Sequence, residues 1–144
     1  MIDEPLRHEV RIEAPIEIVH RFFTDPARIV QWWPTRATLD PRPQGRLRLE
    51  FDGPDGTDIA LGEFLEISAR RIVFSWGFER DPDLRPGASR VEIDLEPDGA
   101  ATRVRLVHHG LPTVRHKERH GEGWSFFLGR LATAASDDPS RGDR

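Results

Sequence analysis

Cysteine is absent from this 144-residue chain. Disulfides, thiol nucleophiles and zinc–thiolate centres are thereby excluded, and a reducing compartment suits it. Tyrosine is absent too, so four tryptophans and eight phenylalanines supply aromatic bulk with no phenol hydroxyl to hold a ligand's polar end. No apolar run reaches the roughly eighteen residues of a membrane-spanning helix. The start, Met1-Ile2-Asp3-Glu4-Pro5, lacks the basic and apolar regions of a signal peptide, and a cytoplasmic location is expected. There is no basic block: the net charge of -4 arises from interspersed charges of both signs. Neither nucleic acid nor an anionic membrane is an expected partner. Phosphate-loop and nucleophile-elbow patterns are missing as well. Gly121-x-Gly123 lacks the further glycine and lysine, and Ser75 lacks the full Gly-x-Ser-x-Gly setting, with Val73 at the first glycine position.

With 37% apolar and 32% charged residues, the composition is that of one ordinary folded domain, large enough for its own core. We place that domain at 1–135. The polar remainder, 136–144, is expected to be disordered.

The dominant stretch is Val114 to Ala135. Trp124, Phe127, Leu128, Leu131 and Ala135 recur at spacings of three and four, with Glu122, Ser125, Arg130 and Thr133 opposite, which predicts a long amphipathic helix. The charged run Arg115 to His120 suits a solvated first turn. Ahead of the helix the periodicity is mostly two. Leu6, His8, Val10 and Ile12 alternate with charges in a first strand. Ala14-Pro15 leads into a short helix carrying Ile16, Val19, Phe22 and Phe23. Asp25-Pro26 starts a second, which Pro34 ends after Trp32-Trp33. Strands follow around Leu47–Phe51, Ile59–Ile67, Ile72–Phe78, Val91–Leu95 and Thr102–His108, separated by turns such as Asp55-Gly56 and Asp98-Gly99. Phe64-Leu65 breaks the alternation, which predicts either a bulge at Gly62 or an element buried on both faces. The class is α+β: a curved antiparallel sheet wrapped around a long C-terminal helix, with two short helices after the first strand.

Several strings, in this order, resemble the helix-grip superfamily (START-like, Bet v 1-like, SRPBCC). They are Ala14-Pro15 with Ile16 to Phe23, Thr24-Asp25-Pro26 through Gln31-Trp32-Trp33-Pro34, Gly62 to Ile67, Arg71 to Trp76, Thr102 to Leu106, His108 to Leu111, and Gly123-Trp124. Within the superfamily the chain is similar to the small bacterial branch of the activator of Hsp90 ATPase homologue 1-like family. The resemblance implies a cavity between sheet and helix that accepts apolar small molecules. No cofactor is expected.

The leading expectation is a non-enzymatic protein holding an apolar or amphipathic small molecule. Phe51, Phe64, Phe74, Trp76, Phe78, Trp124, Phe127 and Leu128 are the expected apolar contacts, Trp33 stands near the entrance and His108 is the polar anchor. Plain packing of the same rings is about equally expected. A second reading is a partner-binding module for a chaperone or stress regulator, through an apolar patch of Leu65, Val73 and Val107 on the outer sheet face. A third is a cyclase or hydrolase using His108 with Glu66, whose parity with Phe64 points it inward; an outward Glu66 paired to Arg71 or Arg90 is the commoner arrangement. His8 and His108 are expected as structural residues of neighbouring strands. His116 and His120 lack the glutamate of a zincin motif, and no metal is expected. The oligomeric state is expected to be monomer or weak homodimer.

Overall fold

A computed structural model describes residues 4–139. Seven antiparallel strands form one curved sheet in the order β1-β7-β6-β5-β4-β3-β2: β1 (Leu6–Ile12), β2 (Arg36–Leu39), β3 (Arg46–Gly53), β4 (Gly56–Ser68), β5 (Arg71–Phe78), β6 (Ser89–Asp98) and β7 (Ala101–His109). Helices α1 (Ile16–Thr24) and α2 (Pro26–Ile29) follow β1, and α3 (Val114–Ser136) ends the fold. First and last strands lie side by side, with Leu6 opposite His108 and Val10 opposite Val104.

The expected periodicities produce these elements. Val91, Ile93 and Leu95 of β6 and Thr102, Val104, Leu106 and His108 of β7 all point into the core. Trp124, Leu128, Leu131 and Ala135 of α3 meet them from the other side. Burying each large apolar side chain there contributes about 1.5–3 kcal/mol. Asp25 caps α2 by accepting from the Ala27 N–H at 3.0 Å, and Thr113 caps α3 by accepting from the His116 N–H at 3.1 Å. Trp32 is fully buried, and its indole donates to the Phe22 carbonyl at 2.9 Å, locking α1 to α2.

Several expectations need correction. Strand β2 has no counterpart among the expected strands: Arg-Ala-Thr-Leu is short and weakly patterned, and it is held by pairing with β3 and by Ala37 and Leu39 packing on the core. The irregularity of β4 is a register shift between Phe64 and Glu66, not at Gly62, which pairs regularly with Leu47. That extra residue reverses the parity. Phe64 opposes Phe74 inside, whereas Glu66 opposes Val73 and reaches Arg71 at 3.3 Å outside. The proposed His108–Glu66 catalytic pair is therefore split between opposite faces.

The outer sheet face is not an apolar patch either. Val73 is only 5% exposed, and Leu65 alone of the three named residues is open. Around them Arg71 meets Glu66, Glu92 and Asp94, while Arg103 bridges Glu9 and Asp98. Such exposed pairs are each worth about 0–1 kcal/mol, but they keep this face wet.

Residues 136–139 of the polar remainder are described. Ser136 closes α3, its hydroxyl accepts from the Glu13 N–H at 3.2 Å, and Asp138 is buried against Arg28 at 3.2 Å. The remainder, 140–144, lies outside the described residues.

Glycines give a paired stability prediction. A Cβ on Gly62 would stand 1.8 Å from the Ser75 carbonyl oxygen, whereas one on Gly129 of α3 meets nothing within 4 Å. Urea unfolding should therefore show Gly62→Ala losing about 1–3 kcal/mol or more. Gly129→Ala should gain about 0.5–1 kcal/mol from helix propensity.

Candidate functional site

The aromatic surfaces of sheet and helix meet at Trp33. Its ring stacks on Trp32 at 5.2 Å and on Trp76 at 5.2 Å, and it tilts against Trp124 at 5.0 Å. Phe74 and Phe51 complete its surroundings at 6.0 and 6.2 Å. Trp33, Phe74, Trp76 and Trp124 are each no more than 6% exposed. The middle of the sheet–helix interface is thus solid aromatic packing.

Buried hydrogen bonds hold these rings in place. The Trp124 indole N–H donates to His108 Nδ1 at 3.0 Å. The Ser89 hydroxyl gives its one proton to the Trp76 carbonyl at 2.8 Å, so it accepts from His108 Nε2–H at 3.0 Å. The Trp76 indole donates to His120 Nε2 at 3.2 Å, and His120 Nδ1–H donates to the His116 carbonyl at 2.9 Å. An indole can only donate, so each imidazole must present a bare nitrogen, and both rings are neutral. Burial pushes the His108 imidazole well below its ordinary range, assisted by the proximity of His120 and His109. Burial likewise lowers His120, against the carbonyl bond that favours its charged form.

Open space lies at one end of this packing, as a cleft of about 710 Å³. Its floor is apolar: Trp33, Phe51, Trp76, Phe78, Trp124 and Phe127. One wall is the start of α3, with Arg115, His116, Arg119, His120 and Gly123. Opposite stand Asp58 and Ile59 of β4 and the Arg80–Asp83 part of the loop after β5. That loop folds back so closely that a Cβ on Gly77 would sit 1.9 Å from the Arg85 carbonyl oxygen. Leu84 is buried beneath it, and Asp81 accepts from His116 Nε2 at 2.8 Å, which ties the loop to α3 across the cleft. The His116 hydrogen bond holds the Asp81 carboxyl below the usual carboxylate range.

Six of the ten expected contact residues therefore line the cleft: Trp33, Phe51, Trp76, Phe78, Trp124 and Phe127. Phe64, Phe74, Leu128 and His108 lie behind that lining in the core. Both nitrogens of His108 are bonded within the protein, and the residue does not line the cleft. His116 and His120, expected on a solvated surface, instead form part of the wall. A signal for them exists in the sequence: 116, 120, 124 and 128 are spaced by four and extend the buried stripe of α3 toward its start. Asp58 and the loop carboxylates carry no such signal. Among the described residues no group of three or more metal-ligating side chains could hold an ion, and no helix is long and apolar enough to cross a membrane.

A model of the family described as "Activator of Hsp90 ATPase homolog 1-like protein" matches residues 13–136. An AHSA1-like protein from Rhizobium etli is similar in structure, with 36% identity, a TM-score of 0.70, and coverage of 97% of this chain and 89% of that one. Protein CV1439 from Chromobacterium violaceum superposes with a TM-score of 0.81 at 25% identity, over 94% of this chain and 99% of the other. An uncharacterized protein of Schizosaccharomyces pombe is 25% identical over 122 residues, which are 84% of this chain. The match spans 34% of that curated relative's length.

The neutral imidazoles set a pH dependence. An unfolded histidine takes up a proton as pH falls below about 6.5, while folded His108 and His120 resist it. The unfolded state then binds more protons, so stability falls with pH below that point. The slope approaches about 1.4 kcal/mol per pH unit for each histidine still held neutral. Urea unfolding at pH 7, 6 and 5 should show this loss, and His108→Gln should have a shallower slope whatever its starting stability.

Proposed function

The chain belongs to the activator of Hsp90 ATPase homolog 1-like family, and we propose that it binds an apolar or amphipathic small molecule in the cleft at the end of the sheet–helix interface. The observation that carries this reading is the lining: a floor of aromatic rings beneath walls of polar groups, in a volume suited to a small ligand. Binding without chemistry is favoured by the state of the histidines. His116 uses one nitrogen on Asp81 and the other on the Thr113 hydroxyl, at 2.8 and 2.7 Å. His120 and His108 likewise have both nitrogens bonded within the protein.

Gly123 supplies the test. It lines the cleft, and a Cβ there meets nothing within 4 Å. Gly123→Phe therefore fills the cleft without crowding the core. Titration with N-phenyl-1-naphthylamine, a neutral environment-sensitive dye, should show saturable binding of one dye per chain. The Phe variant should weaken that binding by roughly tenfold or more, with its melting temperature retained. Absence of saturable binding, or equal binding by the variant, contradicts the reading.

A further inference from the structure

Most polar groups around the cleft are already used inside the protein. The indoles of Trp76 and Trp124 donate to His120 and His108, His116 and His120 have both nitrogens engaged, and Asp81 holds His116 and the backbone N–H groups of Asp83 and Leu84. What remains to meet a ligand is the guanidinium groups of Arg80, Arg115 and Arg119 and the carboxylates of Asp58 and Asp83. None of these three arginines has an ion-pair partner among the described residues, although carboxylates line the same cleft. On the outer sheet face, by contrast, Arg71 and Arg103 are each tied to two or more carboxylates.

Arg115 and Arg119 stand one helical turn apart on α3, a spacing at which like charges repel. No acidic residue in the first turn of the helix offsets them. An anion placed between the two guanidinium forks would relieve that repulsion and gain charge-assisted hydrogen bonds. Asp58 and Asp83 stand on the other walls, on β4 and in the loop, so the cleft is cationic on its helix side.

We propose that the ligand is an amphipathic carboxylate, with its alkyl or aromatic body on the floor of Trp33, Phe51, Phe78 and Phe127 and its carboxylate between Arg115 and Arg119, facing Arg80. This rests on the small-molecule reading above and adds the sign and place of the ligand's charge. Arg115 and Arg119 are exposed, so their replacement spares the core.

The test is competition against N-phenyl-1-naphthylamine by dodecanoate, dodecan-1-ol and dodecyltrimethylammonium, each below its aggregation concentration. Dodecanoate should displace the dye roughly tenfold more effectively than the alcohol. That preference should shrink as salt is raised, and it should approach parity in the R115Q/R119Q variant. Equal displacement by acid and alcohol, stronger displacement by the cation, or a preference retained in the variant overturns this inference and leaves the small-molecule reading standing. No displacement by any of the three overturns this inference as well, and the dye titration of the Gly123→Phe variant then decides the small-molecule reading by itself.

Discussion

The structure depends on a chain of hydrogen bonds, buried as far as Trp76 and half-buried at His120, in which two indoles donate to two neutral imidazoles. Trp124 of α3 donates to His108 of β7, His108 donates to Ser89 of β6, Ser89 donates to the carbonyl of Trp76 of β5, and the Trp76 indole returns to α3 at His120. Three strands and the helix are thereby fixed in one register. A polar group buried without a partner costs roughly 1–3 kcal/mol, so every member of this chain stays only because the next one satisfies it. Charging either imidazole would set two donors against each other and break the chain at that link.

That constraint explains where the fold is solid and where it opens. The chain pulls Trp76 and Trp124 into contact with Trp33, whose stacking closes the middle of the interface. Beyond them lies the cleft, which the loop after β5 spans through Asp81 and His116. The cleft therefore inherits an aromatic floor from the core and charged walls from a helix start and a loop. On the opposite side of the sheet the charges neutralise one another, so the two faces differ in character: one is a satisfied polar surface, the other holds guanidinium groups without carboxylate partners.

Much of this was legible in the residue pattern. The period-four stripe of α3, the alternation of β1, β5, β6 and β7, and the Asp25-Pro26 helix start each produce the expected element. Their signals are local, and local geometry decides them. The pattern does not place the bulge between Phe64 and Glu66, because one inserted residue changes parity without changing composition, and it turns Glu66 outward. Strand β2 carries little local signal, because its four residues are placed by pairing with β3 and by Ala37 and Leu39 meeting the core. The site was half visible. Its aromatic floor follows from strand and helix faces, whereas its walls bring together β4, a loop and α3 from distant parts of the chain. His108 shows the same limit: its burial follows from strand parity, but its two partners, Ser89 and Trp124, arrive through tertiary packing alone.

The central claim is that ligand binds at the aromatic mouth while the interior stays closed. The four indole N–H signals of a nitrogen-15-labelled sample report on this directly, because Trp32 is fully buried behind Trp33, whereas Trp33, Trp76 and Trp124 line the cleft. Titration with dodecanoate should move the signals of Trp33, Trp76 and Trp124 along one saturating curve and leave Trp32 nearly still. Signals that all remain in place, or a Trp32 response as large as the others, would contradict the account.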